Sequence, residues 1–345
     1  MYDPRLRESR RILIVRLGAI GDVLRVLPAL ARIRRERPLA EIGWAVEHWV
    51  APLLAGHPLI DRLHILNRKA LGAGPVSGAR EMLRLAGEIR DHEYDALLDF
   101  HGRFKSGVLG RMTGIPVRIG FGRKSTTEGN FLFTNHHVEL RDYWENRVLR
   151  FLRLLEPLGL SSDYEPNEHG VWIDPAAAAW ARQWYGEVGQ PQLAVYPGCS
   201  LVRQDERWPA EKYAAVLNQL GNQGYRSLVL WGPGEQELAQ GIADGAKGSA
   251  IAAPSTTLHQ MMALIGLCRA YLGSDTAAMH MSWLQGRPTA FFAGPKPVRT
   301  GTPLPPVRMR SLRRGAWGGA MKRSPDLVAG VSVEDALTAA RELLA

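Results

Sequence analysis

The residues able to do chemistry stand at turns where an apolar run gives way to a helical pattern. In "LIVRLGAIGDVLRVLPAL" an aspartate, Asp22, occupies the point where a glycine turn enters a helix. Helix-start amides and the helix dipole make that point a natural phosphate site, and a carboxylate there would repel a pyrophosphate. The turn also lacks the G-x-G-x-x-G spacing of a dinucleotide fingerprint. Two readings of Asp22 remain. It caps the helix, or the dipole keeps it ionised so that it accepts a proton from a substrate hydroxyl as a general base. Gly18 and Gly21 would let a second substrate approach the backbone closely.

The second half carries the complementary pattern. "LGSDTAAMH" sets Ser274, Asp275 and Thr276 at a strand-to-helix junction. There the amides of Thr276, Ala277 and Ala278 suit a pyrophosphate, while an N-cap is the plainer role for Asp275. "YPGCS" offers Gly198 and Ser200 as another phosphate-cradling turn. In "WGPGEQE", Glu235 is placed to take ribose hydroxyls, or is simply a first-turn glutamate favoured by the dipole. His280 follows one turn into its helix, as an acid/base or donor-binding residue or as a packed or capping histidine. No Asp-x-Asp pair of the sort that holds a divalent ion is present.

These residues need strands to present them. "RILIVRL", "EIGWAVE", "DRLHIL" and "YDALLDF" read as buried strands separated by helical patterns, which means βαβ units and a parallel sheet. A longer helix over "RDYWENRVLRFLRLLEPLG" closes this half. The polar, turn-rich "LSSDYEPNEHGVWIDPAAA" is the expected linker. The alternation then restarts with "QLAVYP", "SLVLWG", "SAIAAP", "AYLGSD" and "PTAFFAG" as strands. Residues from about Pro295 to Pro325 read as loop, and "SVEDALTAARELL" as a terminal helix capped by Ser332. The expected division is 1–165, a linker at 166–188, a second domain at 189–325, and a helix at 326–345 packing back on the first domain.

Composition narrows the classes. The 345 residues are too many for one core of ordinary size. The two cysteines, Cys199 and Cys268, cannot make a disulfide framework, and no Cys/His spacing suits zinc. No run is long and apolar enough to span a membrane, and "MYDPRLRESRR" has no signal-peptide core. A net charge of +9 suits a solvated basic surface or an anionic membrane surface, and no nucleic-acid module accompanies it.

Together "LIVRLGAIGDVLRVLPAL", "LLDFHGRFKSGVL", "VYPGCS…RWP", "WGPGE" and "SDTAAMHMSWLQGRPTAFFAGP" resemble glycosyltransferase family 9, the ADP-heptose:lipopolysaccharide heptosyltransferases, over nearly the whole chain. The resemblance implies an α/β GT-B fold: two Rossmann-like doubly wound domains facing each other across a cleft, acceptor mainly on the first and nucleotide mainly on the second. It implies metal-independent, inverting transfer of heptose from ADP-heptose to an anionic lipopolysaccharide-type acceptor, at the cytoplasmic face of the inner membrane and in peripheral contact with it, with no nucleic-acid partner. The family's base maps onto Asp22, its diphosphate motif onto Asp275 to Ala278, and its ribose-binding glutamate onto Glu235. Lys105 and Arg118 become candidates for the acceptor's acid groups, with surface charge as their alternative. The sequence departs from the family at Glu206, where a lysine is usual beside Arg207-Trp208, leaving Arg203 or Arg207 to substitute, and at Ala277, where a glycine is common. A different sugar or acceptor, an epimerase on the same scaffold, and a silent binding subunit are the competing readings.

Overall fold

The computed structural model describes residues 6, 8–140, 142, 144–199, 206–315, 324 and 326–345. It divides into two compact units, Met1–Trp172 and Ile173–Ala345. The first carries β1 (Arg11–Val15), β2 (Glu41–Glu47), β3 (Arg62–Leu66), β4 (Ala96–Asp99), β5 (Val117–Phe121) and β6 (His136–Val138). The second carries β7 (Leu193–Tyr196), β8 (Ser227–Val229), β9 (Ala250–Ala252), β10 (Ala270–Ser274), β11 (Thr289–Phe292) and β12 (Met309–Leu312). Each set forms a six-stranded sheet, in the orders β3-β2-β1-β4-β5-β6 and β12-β11-β10-β7-β8-β9, with every neighbour pair parallel. Strand order reverses beside the first strand of each unit, so ligands are expected at the carboxyl ends of β1 and β4, and of β7 and β10. The runs of Ile, Leu, Val and Ala in the central strands β1, β2, β4, β7, β10 and β11 are buried, as parallel strands with covered faces must be, whereas the outer β3, β9 and β12 are partly open.

The helix expected after the first turn is two pieces, α1 (Ile20–Leu24) and α2 (Leu27–Glu36). Pro28 has no N–H for the carbonyl four residues earlier, which permits the break. In the rest of the first unit come α3 (Arg68–Gly72), α4 (Pro75–Arg90), α5 (Phe104–Met112) and α6 (Arg147–Arg153). The long helix expected near the end of this half is shorter because Asn146 caps α6, accepting from the Val148 amide. α4 and α5 bury Met82, Leu85, Ala86, Ile89 and Leu109 against Leu13, Val15 and Leu97.

The second unit adds α7 (Pro175–Glu187), α8 (Ala210–Gly221), α9 (Gln236–Gly245), α10 (Leu258–Leu267), α11 (Ala277–Leu284), α12 (Asp326–Ala329) and α13 (Val333–Leu344). The stretch read as a linker is therefore partly α7, capped by Asp174 and packed on α10. β12 lies inside the stretch read as loop. The terminal helix α13 buries Ala336, Leu337, Ala340 and Leu343 in the core of the second unit with Trp208, Tyr213 and Phe292. That corrects the expectation that it packs on the first. Ser332 does cap it, accepting from the Asp335 amide at 3.1 Å.

β7 and β10 approach closely at the switch point because Gly273 has no side chain: a methyl group there would overlap the Tyr196 carbonyl and the Tyr271 hydroxyl. Gly273→Ala should destabilise the protein by about 1–3 kcal/mol, the usual cost of forcing an extra methyl into a packed site. A fall in the urea midpoint at unchanged slope checks this, whereas an unchanged midpoint would show that the two strands have room to part.

Candidate active site

The first unit holds a cavity of about 460 Å³ at the carboxyl ends of its strands. Arg16 follows β1, Glu47 ends β2, and Phe100 and His101 follow β4, so the topology alone brings these side chains together. Asp22 enters from α1. The N-cap of α1 is Ala19, with no side-chain cap, so the capping reading of Asp22 is not realised. Its carboxylate instead pairs with Arg16, with Arg25 at 2.8 Å and with Arg147 at 2.9 Å. The side chain keeps 21 % exposure, enough for a ligand in the cavity to reach it. Gly18 also lines the cavity, whereas Gly21 lies within α1 and does not.

A second carboxylate, Glu47, shares the space. Burial pushes its acidity toward the neutral form, but hydrogen bonds from Lys105 at 2.5 Å and Trp49 at 2.7 Å, with the Lys105 and Arg68 charges, outweigh burial and hold it below the usual carboxylate range. Lys105 therefore does line the cavity, as one of several cations there. Arg118 does not. It is the second residue of β5, at the end of the strand away from the cavity, and its guanidinium donates to the carbonyls of Phe133 and Ile115 at 2.8 and 2.6 Å. Its assignment as an acceptor residue is withdrawn.

Asp99, fully buried, holds the loop that carries His101. It accepts from the amides of His101 and Gly102 at 3.0 and 2.9 Å, from Ser106 at 2.9 Å and from Asn130 at 2.8 Å. Burial, then the charges of Arg16 and Lys105, depress the His101 imidazole to about 3. At neutral pH this ring is uncharged. The buried His101 Nδ1, Arg16 Nε and Thr126 Oγ1 have no hydrogen-bond partner among the described residues, and all three residues line the cavity.

The second unit presents its own groups at the ends of β7 and β10. Thr276, the N-cap of α11, makes no side-chain cap, and its amide donates to the Ser274 carbonyl at 2.9 Å. Among the described residues, the first-turn amides without a hydrogen-bond partner are those of Ala277, Ala278 and Met279, one residue further along than expected. Asp275 is exposed, and Ser274 is buried with its hydroxyl on the Pro197 carbonyl at 3.3 Å. His280 is buried in α11, its Nδ1 accepting from the Trp283 indole at 2.9 Å.

Glu235 lies against Gly198, where a methyl group would overlap its carboxylate. Oε1 accepts from the Cys199 amide and Arg207, each at 3.1 Å, and Oε2 from the Tyr196 hydroxyl at 3.1 Å and the Gly232 amide at 3.2 Å. Those four bonds account for the four lone-pair directions of a carboxylate. The group expected to take ribose hydroxyls is therefore engaged by its own chain. Glu206 lies beside Gly294. Ser200 and Arg203 fall outside the described residues.

Sequence reasoning missed Glu47, His101, Arg16 and Arg147. Arg16 and His101 follow the two strands that flank the switch point, a signal that was available, and Glu47 ends β2 one strand away. Arg147 lies 125 residues from its partner and has no local signal.

A family model described as glycosyltransferase family 9 (heptosyltransferase) matches residues 82–323. Lipopolysaccharide heptosyltransferase 1 of Salmonella typhimurium is 27 % identical over 293 residues, covering 83 % of this chain and 88 % of that protein. The lipopolysaccharide core heptosyltransferase OpsX of Haemophilus influenzae is 27 % identical over 308 residues, covering 86 % and 83 %. Among solved structures, the family 9 glycosyl transferase from Veillonella parvula superposes with a TM-score of 0.80 at 21 % identity, covering 97 % of each chain. The E. coli heptosyltransferase WaaC with ADP-2-deoxy-2-fluoro heptose superposes at 0.75 and 23 % identity, covering 97 % of this chain and 100 % of that one. These likenesses show the GT-B fold, and the family match spans well over half of the sequence: the chain belongs to glycosyltransferase family 9, the heptosyltransferases, and is a glycosyltransferase.

Proposed function

We propose that this enzyme moves heptose from ADP-heptose to the inner core of lipopolysaccharide, with inversion and without a metal, at the cytoplasmic face of the inner membrane. The observation that carries the reading is the Asp22 carboxylate, reachable from a cavity otherwise rich in arginine and lysine. The cations attract the carboxylates and phosphates of an inner-core acceptor and orient it by charge-assisted bonds. Asp22 takes the proton of the acceptor hydroxyl as its oxygen bonds to the anomeric carbon, and the bond from that carbon to the diphosphate breaks. The departing ADP carries the negative charge, which the open amides of Ala277, Ala278 and Met279 and the dipole of α11 offset. Three guanidinium partners hold the Asp22 carboxylate at the cavity by ion pairs.

A second reading, the same family with another sugar or acceptor, draws support from Glu235. For ribose hydroxyls to reach that carboxylate, Arg207 or Tyr196 must give up its bond, and Glu206 supplies no cation in their place. ADP and ADP-heptose should raise the melting temperature more than UDP- or GDP-sugars do, since selective binding stabilises the folded state, and EDTA should leave that rise unchanged. Asp22→Asn should keep it while transfer falls by about 10²–10⁴-fold, the usual range for a lost general base. Undiminished turnover in that variant would take Asp22 out of the chemistry. Binding without turnover in the wild type, across several acceptors, would favour a silent subunit.

Lys105→Ala should raise the acceptor KM by roughly tenfold, as expected for losing one bond to a charged group. The donor KM should hardly move. Equal changes in both would show that Lys105 serves the fold and not the acceptor.

A further inference from the structure

The large exposed hydrophobic side chains among the described residues all belong to the first unit, and most stand on one belt. α4 shows the pattern best. Its inner face buries Met82, Leu85, Ala86 and Ile89, while Val76, Arg80, Leu83 and Arg90 recur at helical spacing on the outer one. Val76 is 66 % and Leu83 63 % exposed. Neither is needed by the core, and no acid interrupts the stripe. The two acids of α4, Glu81 and Glu88, both bond Arg84.

The belt continues on both sides. α3 packs against α4 and exposes Arg68 and Lys69, and α5 packs against α4 and exposes Phe104 and Arg111. Beyond α5, the 3-10 turn Asn130–Leu132 exposes Leu132 at 72 %. Neither α3, α5 nor this turn contains an acid. An ordinary solvated helix looks different: the outward positions of α13 carry Glu334, Asp335, Arg341 and Glu342. Apolar side chains flanked by arginine and lysine, with the two acids of α4 paired to Arg84 and the exposed Asp91 standing only past its last residue, make the kind of surface that binds an interface of acyl chains under anionic headgroups. The belt also meets the cavity, because Arg68 sits 6.0 Å over the Trp49 ring and both line it.

We infer that the outer surface of α3, α4, α5 and the Asn130–Leu132 turn docks the enzyme onto a bilayer bearing anionic lipid, with the Asp22 cavity at the edge of the docked face. The inference rests on the reading that the acceptor is lipid-borne, and it assigns that reading a surface. Docking there brings the cavity to the level of the headgroups, where a sugar carried on a lipid stands.

Flotation of the purified protein with phosphatidylcholine vesicles, with and without phosphatidylglycerol, tests this. The wild type should float only with phosphatidylglycerol. Arg80→Glu with Arg111→Glu should weaken binding by about tenfold or more, since each basic residue near such a surface contributes about 1 kcal/mol. Val76→Ser with Leu83→Ser should also weaken it, and Arg182→Glu with Lys247→Glu, exposed sites on the second unit, should not. Equal loss in the last pair, or none in the first two, would overturn the assignment. So would light scattering showing a dimer that the belt variants dissociate, because the surface would then belong to a second copy. Transfer to a soluble, lipid-free acceptor separates the two claims. If the belt variants retain it and the wild type never floats, the docking surface falls and the proposed function stands. If the wild type floats with the expected pattern but transfers nothing, the reverse holds.

Discussion

The first unit is organised around one electrostatic arrangement, the Asp22 carboxylate among the guanidinium groups of Arg16, Arg25 and Arg147. Arg16 is almost wholly buried, and a buried cation is costly unless paired. Its second partner is the Phe100 carbonyl at 2.8 Å, so the same guanidinium ties the carboxylate to the turn after β4. Arg25 comes from the residue just past α1 and Arg147 from the start of α6. Strand end, short helix and later helix therefore converge on one negative charge. That convergence fixes where Asp22 points, and it surrounds the carboxylate with cations that can also receive an anionic substrate.

The rest of the cavity follows the same logic on a smaller scale. Glu47 holds Lys105 and Trp49, and Asp99 holds the turn bearing His101. Glu47 takes its hydrogen bonds from two groups that line the space, and Asp99 holds the lining amides of His101 and Gly102 while Ser106 and Asn130 fix it from behind. The second unit uses a carboxylate likewise: Glu235 staples the loops after β7 and β8 by way of Cys199 and Gly232. The consequence there is a tension, since a staple with every lone pair used is not yet free to receive a ribose.

Much of this was legible in the sequence, and the misses have physical causes. Alternating apolar runs and helical patterns identified nine of the strands and both sheets, because buried parallel strands read as continuous Ile, Leu and Val. β12 was missed because four residues among prolines and arginines carry little pattern, β6 because it has only three, and β5 because Arg118 and Gly120 interrupt its apolar run. The signal for α7 was present, an aspartate cap followed by proline, but the turn-rich residues before it masked the boundary. Lys105 and Arg118 looked alike as isolated cations after apolar runs. What separates them is position on the sheet: one follows a strand that ends at the cavity, the other sits at the start of its own strand. Arg147 could not be read locally, since an ion pair across so much chain leaves no spacing to recognise.

The central proposal is that Asp22, held among its arginines, takes the acceptor's proton. The pH dependence of single-turnover transfer in Arg147→Ala addresses it most directly. Removing a positive neighbour makes a carboxylate easier to protonate, so the acid limb of the profile should move to higher pH while the alkaline side stays put. An acid limb that does not move, in a variant that still binds donor and acceptor, would contradict the account.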